Sequence, residues 1–327
     1  MKKSKLSLKW LEVFLLTARS GAVQEAAQES GLSVSTVSHH IRSLEDALGV
    51  NLFDHARRPL RLTAAGSVFH AQVDEAMRLL RKAETEAQAG DLAETRELSI
   101  GLIEDFDSEI GPELARSLAA GMPKCRFRHL TRPSHEILAL LRHQDIDVGI
   151  ATRPQFGTDD LTEAPLLRDP FVLAVPLGDT TTPEDHLAGR SPLPLLRYSG
   201  NQIMAAQIEQ HLRRLRVTLP ARFEFDSNQS LMSMVADGDG WAITTPMNYI
   251  RAHRFHRQIM LLPFPAKSFA RTLSVFTTDD SPGAAVASVI GTMRRLVEDR
   301  AVAPTVERMP WLDGLFRVLP DTSGPED

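Results

Sequence analysis

The chain has 327 residues, 43% of them hydrophobic and 24% charged, with a formal net charge of −5. That length fits two or three compact domains rather than one, and no apolar run approaches the roughly 20 residues that a membrane-spanning helix needs. A single cysteine, Cys125, excludes an intramolecular disulfide framework and a cysteine-built zinc site.

The charge is unevenly placed. Residues 1–66 hold nine Lys and Arg (Lys2, Lys3, Lys5, Lys9, Arg19, Arg42, Arg57, Arg58 and Arg61) against six Asp and Glu, a net +3 that leaves −8 for the rest. A basic head on an acidic body suits a nucleic-acid-binding domain joined to a domain with another task. The basic stretch from Met1 to Lys9 runs into no uninterrupted apolar segment with a cleavage site, so no signal peptide is expected and the cytoplasm is the expected location. No pattern calls for a cofactor, a metal or a membrane partner.

In chain order, Leu8, Leu11, Phe14, Leu15 and Ala18 recur at helical spacing, with Ser7 as a cap and Gly21 as a stop. Val23, Ala26 and Ala27 mark a second short helix ended by Gly31. Ser33 opens a third, carrying Val37, Ile41, Leu44 and Leu48 and stopped by Gly49. Three short helices around glycine-containing turns predict a compact trihelical unit. The basic segment Leu52 to Leu62, with Pro59, suits a two-stranded wing. From Thr63 to about Gly90 the pattern is helical again, with Val68, Val73, Met77, Leu80 and Ala87 in an apolar stripe; a long helix of this kind buries its stripe against a second chain. Gly90 and Asp91 mark a linker.

Beyond Glu97 the sequence alternates between strands and helices. Strands are predicted at Leu98–Ile103, Arg126–Leu130, Ile146–Ala151, Phe171–Val175, Leu193–Arg197, Ala221–Phe225, Trp241–Thr245, Ile259–Pro263 and Thr272–Thr277. Helices are predicted near Glu109–Ala120, Ser134–His143, Gln202–Leu215, Asn228–Asp237 and Ala284–Arg300. The alternation implies an α/β fold with mostly parallel sheets. The segment from 302 to 327 reads as a poorly ordered tail, in which Trp311, Leu312, Leu315 and Phe316 could dock locally.

One stretch is far more specific than the rest. Ala26-Ala27, Ser33, Val37-Ser38, Ile41, Leu44-Glu45, Leu48-Gly49, Leu52-Phe53, Arg58, Leu62-Thr63 and Gly66 resemble, with correct spacing over about 40 residues, the signature of LysR-type transcriptional regulators. The resemblance implies an all-α N-terminal part with a winged helix-turn-helix at 1–66 and a linker and dimerisation helix at 63–90. It also implies a two-lobe effector domain at 91–301, like a periplasmic binding protein, with lobe one at 97–166 and 268–300 and lobe two at 167–267. It further implies a homodimer or dimer of dimers on a pseudo-palindromic double-stranded DNA operator.

The residues agree with that implication. Ser33, Ser35, Thr36 and Ser38 crowd the start of the third helix, and His39 and Arg42 follow. Hydroxyls and helix N-termini suit phosphates and base edges, and a helix fits the major groove; each hydroxyl also fits a plain cap. Arg57, Arg58 and Arg61 are candidate wing contacts, or a solvated basic surface. The chain departs from the family pattern at Val34, where a polar residue, often Gln, is common, and at Ala22, His39 and His55, so the family's base contacts do not transfer wholesale.

For the effector domain the resemblance points to the cleft between the lobes. Candidate contacts are Asp105 and Phe106 in the first turn, Ser134 at a helix start, Asn201 in lobe two, and Trp241 after Gly238-Asp239-Gly240. Each also fits a turn or packing role. The acidic turn Glu104 to Asp107, with Phe106 and Trp241 as stacking faces, suggests a cationic or zwitterionic effector. An enzyme built on residues 97–300 finds no support from an HExxH, a nucleophile elbow or a phosphate loop. An effector-blind architectural DNA-binding protein would leave the two-lobe domain without a use.

Overall fold

The computed structural model describes residues 6–57, 59–88, 95–220, 222–265 and 269–320. The chain divides into two compact units, Met1–Glu84 and Thr85–Asp327.

The first unit opens with α1 (Leu8–Ser20), α2 (Val23–Ser30) and α3 (Val34–Leu48). Val13 and Phe14 of α1, Ala26 and Ala27 of α2, and Val37, Ile41 and Leu44 of α3 form one buried cluster. The two alanines are small enough for α2 to lie close to both neighbours. Gly31 turns the chain between α2 and α3 at φ +66°, a left-handed conformation that suits glycine, and Leu32 N then donates to Ala27 O at 3.1 Å. Ser7 precedes α1 as expected, but its hydroxyl makes no capping bond. The wing is β1 (Phe53–Asp54) paired antiparallel with β2 (Arg61–Leu62).

The long helix α4 (Ala64–Gln88) follows, and Thr63 caps it by accepting from Gly66 N at 2.9 Å. Gly66 is needed for close approach, because a Cβ there would lie 2.0 Å from the Leu52 carbonyl oxygen.

The second unit runs β3 (Glu97–Leu102), α5 (Ile110–Gly121), β4 (Arg126–Thr131), α6 (Ser134–Arg142), β5 (Val148–Thr152), β6 (Thr162–Pro170) and β7 (Val172–Pro176). It continues through α7 (Pro183–Leu187), β8 (Leu195–Tyr198), α8 (Ile203–Arg214), β9 (Phe223–Phe225), α9 (Asn228–Ala236), β10 (Trp241–Thr244) and α10 (Pro246–Arg251). It ends with β11 (Ile259–Pro263), β12 (Ala270–Thr277), α11 (Gly283–Val297), a π-helical stretch Glu298–Val302, α12 (Ala303–Arg308) and β13 (Arg317–Val318). Two sheets result, one of order β13-β6-β12-β5-β3-β4 and one of order β11-β7-β10-β8-β9.

Each sheet is the floor of one lobe. The chain leaves lobe one at Phe171, between β6 and β7, and returns between β11 and β12. Phe171 stacks on Phe269 at 4.3 Å between centroids, and Phe171 N donates to Phe269 O, so the two crossings are packed against each other.

Three expectations need correction. The sheets are mixed rather than mostly parallel: β3, β4 and β5 pair in parallel, as do β8, β9 and β10, whereas every pairing made by β6, β7, β11, β12 or β13 is antiparallel. The nine-residue strand β6 escapes the sequence pattern because Pro165, Pro170, Glu163, Arg168 and Asp169 interrupt its apolar run; its register against β12 shifts next to Pro165, where a ladder donor is missing. It also moves the first crossing to Phe171 from the expected 166.

The third correction concerns the segment from 302 onward. Up to residue 320 it is built into lobe one, with Thr305, Leu312 and Phe316 buried and β13 pairing with β6, Val318 opposite Leu167. Residues 321–327 lie outside the described part, as do Lys2, Lys3, Lys5, Arg58, Gly90, Asp91 and Ala221.

Phe316 is 1% exposed, so Phe316→Ala should lower the unfolding free energy by about 3–5 kcal/mol. A urea midpoint equal to that of the unaltered chain would detach this segment from the core.

Candidate functional site

The first candidate site is the start of α3 with the wing. Ser33, Ser35, His39, Arg42, Arg57 and Arg61 are exposed, and Thr36 and Ser38 are half-buried. Ser33 has two jobs at the helix start. Its Oγ accepts from Thr36 N at 3.1 Å, and it lies 2.8 Å from Ser35 Oγ and 2.7 Å from Thr36 Oγ1. The hydroxyls thus form a linked tip around a helix end whose first N–H groups lack intrahelical partners. Arg58 lies outside the described residues.

Glu45 holds the wing in place. Its carboxylate is 6% exposed and accepts from Leu52 N at 2.8 Å, Phe53 N at 3.1 Å and His55 Nε2 at 2.9 Å. Two buried donors of the strand entering the wing are satisfied by one side chain of α3, so helix and wing are placed as one piece. Arg57 pairs with Asp54 at 3.0 Å on the wing surface.

The second candidate site lies between the lobes of the second unit. A cavity of about 320 Å³ is lined from lobe one by Glu104, Asp105, Thr131, Arg132, Ser134, His135 and Thr152, and from lobe two by Asn201, Gln202, Ile203, Met204, Asp226 and Asn248, with Arg271 of β12 at its floor. The helices α6 and α8 both begin at this wall, so two positive dipole ends meet one cavity. The Ser134 hydroxyl accepts from Thr152 N at 3.1 Å, which ties the start of α6 to the end of β5.

Of the five residues expected at the cleft, Asp105, Ser134 and Asn201 line it. Phe106 and Trp241 do not: they are 0% and 1% exposed and belong to the core, where Trp241 packs on His186 at 4.8 Å between centroids. The expected aromatic faces for a cation are therefore absent from the cleft wall. A turn residue and a β-strand residue of this type can each point to either side, and sequence position alone does not choose.

The acidic turn is also paired within the protein. Arg271 is 3% exposed and bonds Asp169 of β6, with Nε at 2.9 Å and Nη2 at 2.8 Å from Oδ2. It also bonds Asp105, and Thr245 Oγ1 at 2.9 Å. Burial opposes its charge, yet Asp105 and Asp169 hold the guanidinium above its ordinary pKa. Burial pushes Asp169 upward, against the pull of Arg271.

Arg251 of α10 makes a second clamp. It donates to Glu104 O at 2.6 Å and to the Asp107 carboxylate at 3.2 and 3.1 Å, and lies 3.4 Å from Glu104 Oε2. Burial pushes the Glu104 carboxyl above its usual range, Arg251 opposing. Arg251 and Arg271 were not singled out in the sequence, since both lie more than 140 residues from the turn they pair with.

A helix-turn-helix with a wing and a long following helix, joined to two α/β lobes around a polar cleft, defines a ligand-responsive DNA-binding regulator. Comparison with known proteins gives the family. The model described as bacterial regulatory helix-turn-helix protein, lysR family, matches residues 8–67, and the LysR substrate binding domain matches 93–298. The chain belongs to the LysR family of transcriptional regulators.

The hydrogen peroxide-inducible genes activator of Escherichia coli O157:H7 is 26% identical over 85% of this chain and 91% of its own. A full-length OxyR variant from Pseudomonas aeruginosa shares the fold at a TM-score of 0.67 with 22% identity, covering 89% of this chain and 96% of its own. Full-length CbnR in complex with its target DNA gives 0.55 with 18% identity over 89% and 99%. The substrate-binding model ends at 298, so α12 and β13 lie beyond the matched region.

Arg271→Met leaves two buried carboxylates without their cation and should cost about 3–5 kcal/mol of stability at pH 7. Burial already raises the Asp169 carboxyl and Arg271 opposes it, so without Arg271 the folded state takes up this proton before the unfolded chain does, and part of the lost stability returns as pH falls towards about 4. Urea midpoints of the variant relative to the unaltered chain at pH 7.5 and 4.5 check this. An equal deficit at both pH values would show that the triad is not what the substitution breaks.

Proposed function

We propose that this regulator contacts operator DNA through Ser33, Ser35, Thr36, Ser38, His39 and Arg42 of α3, with Arg57, Arg58 and Arg61 on the wing, and that a small zwitterion bound between the lobes controls it. The carrying observation is the cleft itself, where the starts of α6 and α8 and Arg132 line a cavity that also carries Glu104 and Asp226. The first set favours a carboxylate, and the second favours an ammonium. Asp105, which shares the Arg271 guanidinium with Asp169, is a structural member of the floor rather than an anchor for charge.

The DNA complex of CbnR supports the role of the winged helix. The relative named for hydrogen peroxide induction raises a second reading, a thiol sensor. The one thiol here, Cys125, is outside the cleft lining, and burial pushes its pKa up and away from the reactive thiolate. A bound effector is the reading we adopt.

Thermal shift of the full chain tests the effector class. A small amino acid should raise the melting temperature, while the matching carboxylic acid without the amine and the amine without the carboxylate should not. Arg132→Gln should weaken that response about ten-fold with the apo melting temperature unchanged, because Arg132 is exposed. A plain dicarboxylate that stabilises the chain more than any zwitterion would sink the charge assignment.

Assembly as a dimer, or a dimer of dimers, through α4 fits the exposed apolar residues Val68 and Leu80 on that helix. Met77 is 8% exposed within the single chain, so a charge there would test folding as well as assembly. Leu80, at 42%, is the cleaner site. Leu80→Glu should reduce the mass seen by light scattering to that of a smaller assembly, and an unchanged mass would place the interface elsewhere.

A further inference from the structure

We propose that Val34 reads the 5-methyl group of a thymine in the operator, which makes it a specificity-determining residue of the recognition helix; this rests on the DNA-binding reading above. Val34 is the first residue of α3 and is 47% exposed. It belongs neither to the buried cluster of the first unit nor to the half-buried apolar side chains packed against that cluster. Packing therefore does not account for it. Helix propensity does not either, because a β-branched residue is a poorer helix former than alanine or glutamine.

Its surroundings sharpen the point. The Ser33 hydroxyl lies 2.8 Å from that of Ser35 and 2.7 Å from that of Thr36, so these three hydroxyls have partners and the isopropyl group is left as the apolar feature of the tip. In helix-turn-helix proteins the N-terminal residues of the recognition helix meet base edges in the major groove. The apolar feature among those edges is the thymine methyl, and the other groups there are hydrogen-bond donors and acceptors. An isopropyl group against a donor or acceptor would strip it of water without replacing the bond; against a methyl it removes two apolar surfaces from water at once.

The test begins with selection of bound sequences from random DNA by the full-length chain. Each thymine of the enriched half-site is then replaced by deoxyuridine, which removes only the methyl group. At one position per half-site the replacement should weaken the unaltered chain about four-fold, the value of one buried methyl-sized group. Val34→Ala, exposed and therefore expected to melt like the unaltered chain, should lose a similar factor on the thymine site and lose nothing more on the deoxyuridine site.

If deoxyuridine is tolerated everywhere, or weakens Val34→Ala as much as the unaltered chain, the assignment is overturned while DNA binding stands. Failure to enrich any sequence would overturn the sequence-specific reading and this inference together.

Discussion

The effector domain is organised around one almost fully buried guanidinium. Arg271 sits on β12, Asp169 on β6, and Asp105 in the turn after β3, while Thr245 and Met247 approach from the end of β10 and the start of α10. The strands β6 and β12 are the ones that carry the chain across between the lobes. A buried cation must have its partners within hydrogen-bond reach, since the cost of an unpaired charge there is several kcal/mol. That requirement fixes the spacing of the crossing strands, the position of the acidic turn and the start of α10 together. The cleft inherits its floor from this arrangement.

The acidic turn is held by two arginines. Arg271 and Arg251 reach it from the crossing strand and from lobe two, and each pairs with more than one acceptor. A ligand entering above this floor meets helix starts and a mixed set of charges, not a bare acidic patch. Arg251 on α10 and its acceptors in the turn tie lobe two to lobe one at this point.

In the first unit Glu45 has a comparable place. It sits in the signature that resembles the family's, yet it is buried and spends its carboxylate on the wing. Its two bonds to the backbone of the strand entering the wing convert a helix and a loop into one rigid surface. At the tip of that surface this chain carries Val34 and His39, the two positions of α3 at which it departs from the pattern it resembles.

Much of this was legible in the sequence where the information is local. The three short helices, their glycine stops and the long helix follow from apolar spacing and from turn chemistry, since a helix interior or a left-handed glycine leaves its mark within a few residues. The family signature lies in the same local pattern. Ser134 and Asn201 could be placed at the cleft because helix starts in α/β folds face it. What only the tertiary structure decided is long-range. It showed that β6 is a strand despite its prolines and charges, that the segment after 302 supplies an edge strand, and that Phe106 and Trp241 turn into the core. It also paired Asp105 with an arginine 166 residues away. Charge in a sequence has a sign but no partner, and the partner is set by which strands the sheet brings side by side.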